Sequence, residues 1–259
     1  MVDGKSTTVE WRGHPTKICI LPVGAFEQHG PHLPLATDAL VAEDLARAVA
    51  EELDAALLPA QPFGTSLEQT GFRGTFTLRP ETLMRIVRDL ADEAEAQGFR
   101  IMVVVNGHGG NHCLLPAIRD INRSNRSLKI LLLYIADFRY DVGAADRATG
   151  EMDIHAGENE TSYMLARFPT LVRDERPDRE PERSEMPLKQ SDLTTFGMGY
   201  LNPEGVIGRA SRATSEKGER IFRNVVSGMT THIRDRVRRL EALPRYSGTV
   251  HPDSSPHTE

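Results

Sequence analysis

The segment Ile101-Met-Val-Val-Val is apolar at every position and runs directly into Asn106-Gly-His-Gly-Gly-Asn-His. A strand with one face in water alternates polar and apolar residues, whereas an uninterrupted run suits a strand covered on both faces in a parallel sheet. The pattern recurs: an apolar run over residues 18–23 ends at Gly24, and another over 130–135 ends near Asp137. Helical periods separate these runs. Val41, Leu45, Val49 and Leu53 follow Asp38, Leu83, Ile86, Val87, Leu90 and Ala94 lie between Pro80 and Gly98, and a further helix is expected from Leu114 to Asn122. Leu57 to Ala60 reads as a short strand. The alternation predicts a single α/β domain with a mainly parallel sheet flanked by helices and joined by right-handed crossovers.

The remaining stretches carry weaker signals. Residues 1–16 lack periodicity and read as an arm or edge segment, and residues 63–75, rich in Gly and hydroxyls, read as a long functional loop. Residues 173–190, dense in Arg, Glu, Asp and Pro, predict an exposed excursion. Residues 196–208, with four glycines, are a loop over the site or a surface turn. Ile221, Phe222, Val225, Met229, Ile233, Val237 and Leu240 trace one face of a long helix. The expected division is one domain over residues 1–243 and a fraying tail over 244–259. A net charge of -6 with 26% charged residues disfavours nucleic acid and anionic membranes as partners. With no apolar stretch long enough to span a bilayer and no signal-peptide pattern at Met1, a cytoplasmic location is expected. Cys19 and Cys113 lack CxxC partners and are expected to be free thiols.

Three polar clusters sit where predicted strands end or helices begin. The first holds Glu27, His29, His32 and Asp38, the second His108 among glycines, the third His155, Glu158 and Glu160. Strand ends of an open α/β sheet converge on one edge, and mixed carboxylate and imidazole donors suit zinc, manganese or iron. Gly107, Gly109 and Gly110 around His108 suit a backbone that approaches something closely.

The segments Glu27-Gln-His-Gly-Pro-His-Leu-Pro with Asp38, Asn106-Gly-His-Gly-Gly-Asn, and His155-Ala-Gly-Glu-Asn-Glu-Thr-Ser closely resemble the creatininase (creatinine amidohydrolase) family. Phe63-Gly-Thr-Ser-Leu-Glu with Phe72-Arg-Gly-Thr fits a fourth segment of that family. The resemblance implies a two-metal site (Zn, Mn or Fe), hydrolysis of an amide, often cyclic or a formamide, and a homohexamer. It makes Glu27 and His108 ligands of one ion, His29 a ligand of the other, Asp38 the bridge and His155 the proton-transfer residue. Ser66, Gly109 and Glu158 are expected to face the substrate. Creatininase has a Tyr and a metal-binding Glu where this chain has Gly109 and Gly110, so the missing ligand must come from elsewhere. Glu160 is the first candidate and Glu158 the second.

The expected activity is amide hydrolysis by a metal-activated water, with a metallopeptidase that trims a modified peptide as the alternative. A reading from another class is an inactive metal-binding scaffold, which would leave His155 and Ser66 without a use. A two-metal phosphoesterase would want Arg or Lys near the metals, and only Arg73 qualifies.

Overall fold

The computed structural model describes residues 1–124, 126–146, 152–179 and 195–242. Its frame is a four-stranded sheet in the order β2-β1-β3-β4, built from β1 (Ile18–Val23), β2 (Ala56–Leu57), β3 (Ile101–Asn106) and β4 (Lys129–Tyr134). All pairings are parallel, and Val23 registers with Asn106, which registers with Tyr134. Three strands therefore end level, and the loops that leave them emerge side by side.

Alternate β3 side chains feed two cores. Val103 and Val105 join Ile20 and Leu133 against α2 (Thr37–Leu53), α5 (Glu158–Arg167) and the long α6 (Ser215–Ala242). Met102 and Val104 join Cys19 and Leu21 against α3 (Pro80–Ala96) and α4 (Leu114–Arg123). This double cover explains why β3 is apolar throughout. Helix α3 begins with Pro80 and stops at Gly98, whose φ of +87° is the left-handed geometry of a helix terminus. There the Gly98 and Phe99 amides donate to the Glu95 and Ala94 carbonyls.

Helix α2 lands on the sheet end itself. A Cβ on Gly24 would lie 2.4 Å from the Ala39 main chain, and one on Gly107 2.7 Å from the Asp38 carbonyl oxygen. Only glycine at both positions lets the first turn of α2, which carries Asp38, lie against the ends of β1 and β3.

Several expectations change. The amino-terminal segment is not a plain arm: Val2 bridges Ala56, and α1 (Thr8–Gly13) starts with a Thr7/Glu10 capping box. The charged stretch contributes β5 (Asp178–Arg179), antiparallel to β6 (Gly208–Arg209). The remainder of that stretch, 180–190, and the expected tail lie outside the described residues. Cys19 and Cys113 are free thiols. Among the described residues, no helix is long and apolar enough to cross a membrane.

Glu95 ties α3 to the entrance of β4, accepting from the Ser127 hydroxyl, the amides of Ser127 and Leu128, and Arg126. The Ser127 bond leads the effects that lower its carboxyl to about 2 from an ordinary 4.5, against a cost of burial. A depressed folded pKa stabilises above the unfolded pKa and loses that stabilisation as pH falls through the folded value. Glu95→Gln is thus expected to lower the melting temperature at pH 7, with the gap to wild type closing between about pH 4.5 and 2. Thermal melts of both proteins across that window check it, and a gap independent of pH would refute it.

Candidate metal centre

The level strand ends bring the three sequence clusters together. Glu27, on the loop after β1, is fully buried, as is His29, while Asp38 is 3% exposed and His108, just past β3, 6%. Among the described residues, three groups of donor atoms fall close enough together to share an ion: His29, Asp38 and Glu160; Glu27, Glu68 and His108; and Glu27, His29 and His155.

Asp38 lies between two imidazoles. Its Oδ1 is 3.2 Å from His29 Nε2 and its Oδ2 is 3.1 Å from His108 Nδ1. The other nitrogen of each ring faces a main-chain carbonyl: His29 Nδ1 is 3.1 Å from the Glu27 oxygen and His108 Nε2 is 3.1 Å from the Thr65 oxygen. A carbonyl only accepts, so in the neutral ring of His29 the Nδ1 carries the proton and Nε2 turns a lone pair toward Asp38, whereas His108 Nε2 also faces the carboxylates of Glu27 and Glu68 at 3.2 and 3.1 Å. A lone pair set against a carboxylate repels unless a proton or a metal cation lies between them. The same arrangement, a ring N–H fixed by a carbonyl and the opposite nitrogen aimed at the site, is what metal-ligating histidines use.

The buried acids have the same need. Both oxygens of Glu27 and Oδ2 of Asp38 lack a hydrogen-bond partner, and leaving such groups unpaired in a dry interior is costly. Burial opposes charge on His29, yet Asp38, Glu160 and Glu27 outweigh it and hold the ring up at about 10. Burial likewise opposes charge on His108, and Glu27 and Asp38 overcome it. Burial drives the carboxyls of Glu27 and Glu160 upward. The acids thus produce a field that demands positive charge at the cluster centre, which divalent cations fit by charge and by donor type.

His155 differs from the other two histidines. Burial, then the neighbouring charge of His29, lowers it to about 3, so it is neutral. Its Nε2 lies 2.7 Å from the Gln28 carbonyl oxygen and therefore carries the proton. The free Nδ1 looks toward Glu27, 3.7 Å from Oε1. An isolated β-bridge to Ile207 anchors this residue, so the glycine-bearing segment packs beside the site, and Met198 lines its smaller cavity.

Of the expected substrate-facing residues, Gly109 borders two cavities, of about 460 and 140 Å³, that also share Asp38, His108, His155 and Glu160. Ser66 is fully buried, its hydroxyl has no hydrogen-bond partner, and it lines neither of these cavities. Glu158 is placed differently from Gly109. It is 1% exposed, is ion-paired with Lys217 of α6, and lies outside both cavities and all three donor groups. Positions two apart on a helix do not share a face, and Glu160 is the one turned to the metal centre. Glu158→Gln should leave metal binding intact and cost about 1–2 kcal/mol of stability by removing the charge partner of the part-exposed Lys217 ammonium, which keeps the Arg212 carbonyl. Denaturant unfolding with metal analysis tests this, and loss of an ion would return the ligand role to Glu158.

The sequence reading missed Glu68. This residue lies on a 3-10 turn (Leu67–Gln69), and its Oε1 is 3.1 Å from His108 Nε2. Its loop was marked as functional, but no periodicity singled it out.

Comparison with known proteins agrees with this geometry. Residues 5–233 match the family Creatininase, described as creatinine amidohydrolase. The chain is 32% identical over 226 residues to the mycofactocin precursor peptide peptidase of Mycobacterium ulcerans, covering 83% of each protein. It is 31% identical over 234 residues to the creatinine amidohydrolase of Pseudomonas putida, covering 84% of this chain and 89% of that one. A manganese creatininase structure superposes with a TM-score of 0.75 at 28% identity, over 91% of this chain and 98% of that one. A variant creatininase of Zn-Zn type is a further structural neighbour. The chain belongs to the creatininase family of metal-dependent amidohydrolases.

Proposed function

We propose that this protein is a dinuclear metal amidohydrolase in which Asp38 bridges two divalent ions, Glu27 and His108 hold one, and His29 and Glu160 hold the other. The observation that carries the reading is the Asp38 carboxylate, with one oxygen facing each imidazole at 3.2 and 3.1 Å. Such an ion pair supplies Lewis-acid polarisation of the amide carbonyl and a water of lowered pKa. His155 begins neutral with Nδ1 unprotonated, so it takes the proton released as the C–O bond forms and passes it to the departing nitrogen as the C–N bond breaks. The Gln28 carbonyl keeps the ring in the tautomer and orientation for that transfer.

The expected substrate class is a small cyclic amide or a formamide, and Gly109, at the cavity wall, is its proposed contact. Ser66 remains a proposed substrate residue only through the family pattern. A second reading, trimming of a modified peptide, is favoured by open space. Nothing lies within 4 Å of where a Gly109 Cβ would be, and two cavities border the metal centre. A small ring needs one such cavity, while an extended chain occupies both. The peptide peptidase relatives support this reading too.

The decisive experiment loads the protein with zinc or manganese and assays creatinine, formamides and short peptides, including the mycofactocin precursor. Hydrolysis that a chelator abolishes supports the proposal. Two bound ions with no turnover on any amide would favour the scaffold alternative. The same reading makes the protein a cytoplasmic homohexamer with its catalytic domain within 1–243, and light scattering of purified protein tests the assembly.

A further inference from the structure

Gly110 is more than a turn residue. A Cβ there would lie 2.2 Å from Glu68 Oε1, 2.4 Å from His108 Nε2 and 2.6 Å from the Thr65 carbonyl oxygen. The space that a side chain at this position would fill is therefore already taken, and the group that has entered it is a carboxylate from a different loop. Glu68 Oε1 and Glu27 Oε2 stand 3.1 and 3.2 Å from the same imidazole nitrogen, His108 Nε2. A third acceptor, the Thr65 carbonyl oxygen, lies 3.1 Å from the same nitrogen. Glu27 is fully buried and neither of its oxygens has a hydrogen-bond partner. Three acceptors thus crowd one nitrogen that can carry at most one proton. Carboxylates gathered so closely call for positive charge between them, which a bound metal ion supplies.

We infer that Glu68 is a metal ligand, delivered through the space left by Gly110, that completes the donor set of the ion held by Glu27 and His108. The inference rests on the two-metal reading and extends it. With Glu160 serving the His29 ion, each ion gains a carboxylate beyond the Asp38 bridge, so neither depends on a side chain next to His108. The turn carrying Glu68 also holds Gln69, whose amide oxygen accepts from Gln28 2.8 Å away. This bond fastens the loop to the segment bearing Glu27 and His29.

The test is metal binding rather than turnover. Wild type, Glu68→Gln, Glu68→Ala, Glu160→Gln and Asp38→Ala are titrated with Zn²⁺ against a competing chelator, and the metal retained is counted. Glu68→Gln is close in shape to the parent and keeps the fold if the alanine variant does not. Both Glu68 variants are expected to weaken one of two ions by about 10-fold or more, on the scale set by loss of supporting groups at metal sites. Glu160→Gln should weaken the other ion, and the Glu68/Glu160 double variant should weaken both. Two ions bound at wild-type affinity in both Glu68 variants would overturn the inference, as would lost turnover with metal affinity unchanged, which would make Glu68 a proton-transfer group. The underlying reading fails separately: if Asp38→Ala keeps both ions, the two-metal centre itself is wrong.

Discussion

Asp38→Ala is expected to release both ions and abolish hydrolysis. The carboxylate is nearly inaccessible and presents one oxygen to each imidazole. Two divalent ions about 4 Å apart repel by roughly 16 kcal/mol at an effective dielectric constant near 20, four times the unit-charge value. A shared anion offsets much of that repulsion. A water in its place supplies neither charge nor the fixed position that the first turn of α2 gives the carboxylate. Elemental analysis after gel filtration reads the outcome directly. Protein that retained two equivalents of metal and full turnover would show that Asp38 is not the bridge.

His155→Gln should separate binding from chemistry. The ring is held by the Gln28 carbonyl, leaving Nδ1 as the open nitrogen beside Glu27. Glutamine can keep a hydrogen bond to that carbonyl but cannot relay a proton at neutral pH, so turnover should fall by about 10²–10⁴ with both ions in place. Single-turnover rates together with metal counts distinguish the outcomes. Loss of an ion would make His155 a ligand, in line with its grouping with Glu27 and His29, and an unchanged rate would leave it a structural histidine.

What could be read in the sequence followed from how each residue is covered. Strands β1, β3 and β4 were legible because burial on two faces leaves an uninterrupted apolar signature, and their ends marked where His108 and the Glu27 loop would meet. The first helix was missed although Thr7 and Glu10 have capping-box spacing, because six residues give too little periodicity to weigh. Glu158 and Glu160 could not be separated without the helix phase, which is set by packing against α6, and Lys217 lies far away in the chain. Glu68 was hidden for a related reason. Its role depends on an empty position at Gly110, and a glycine in sequence does not disclose which side chain fills the space it leaves.

The docking of α2 on Gly24 and Gly107 divides the donors by origin. Glu27, Asp38 and His108 hang from the sheet ends and the helix pressed onto them, where even a methyl group would meet main chain at Gly24 or Gly107. Glu68 and His155 come from connecting segments, and Glu160 from the first turn of α5. Changes in the connecting loops can therefore reshape the cavity while the sheet-borne donors stay in place, whereas any side chain at Gly24 or Gly107 would push α2, and Asp38 with it, off the strand ends.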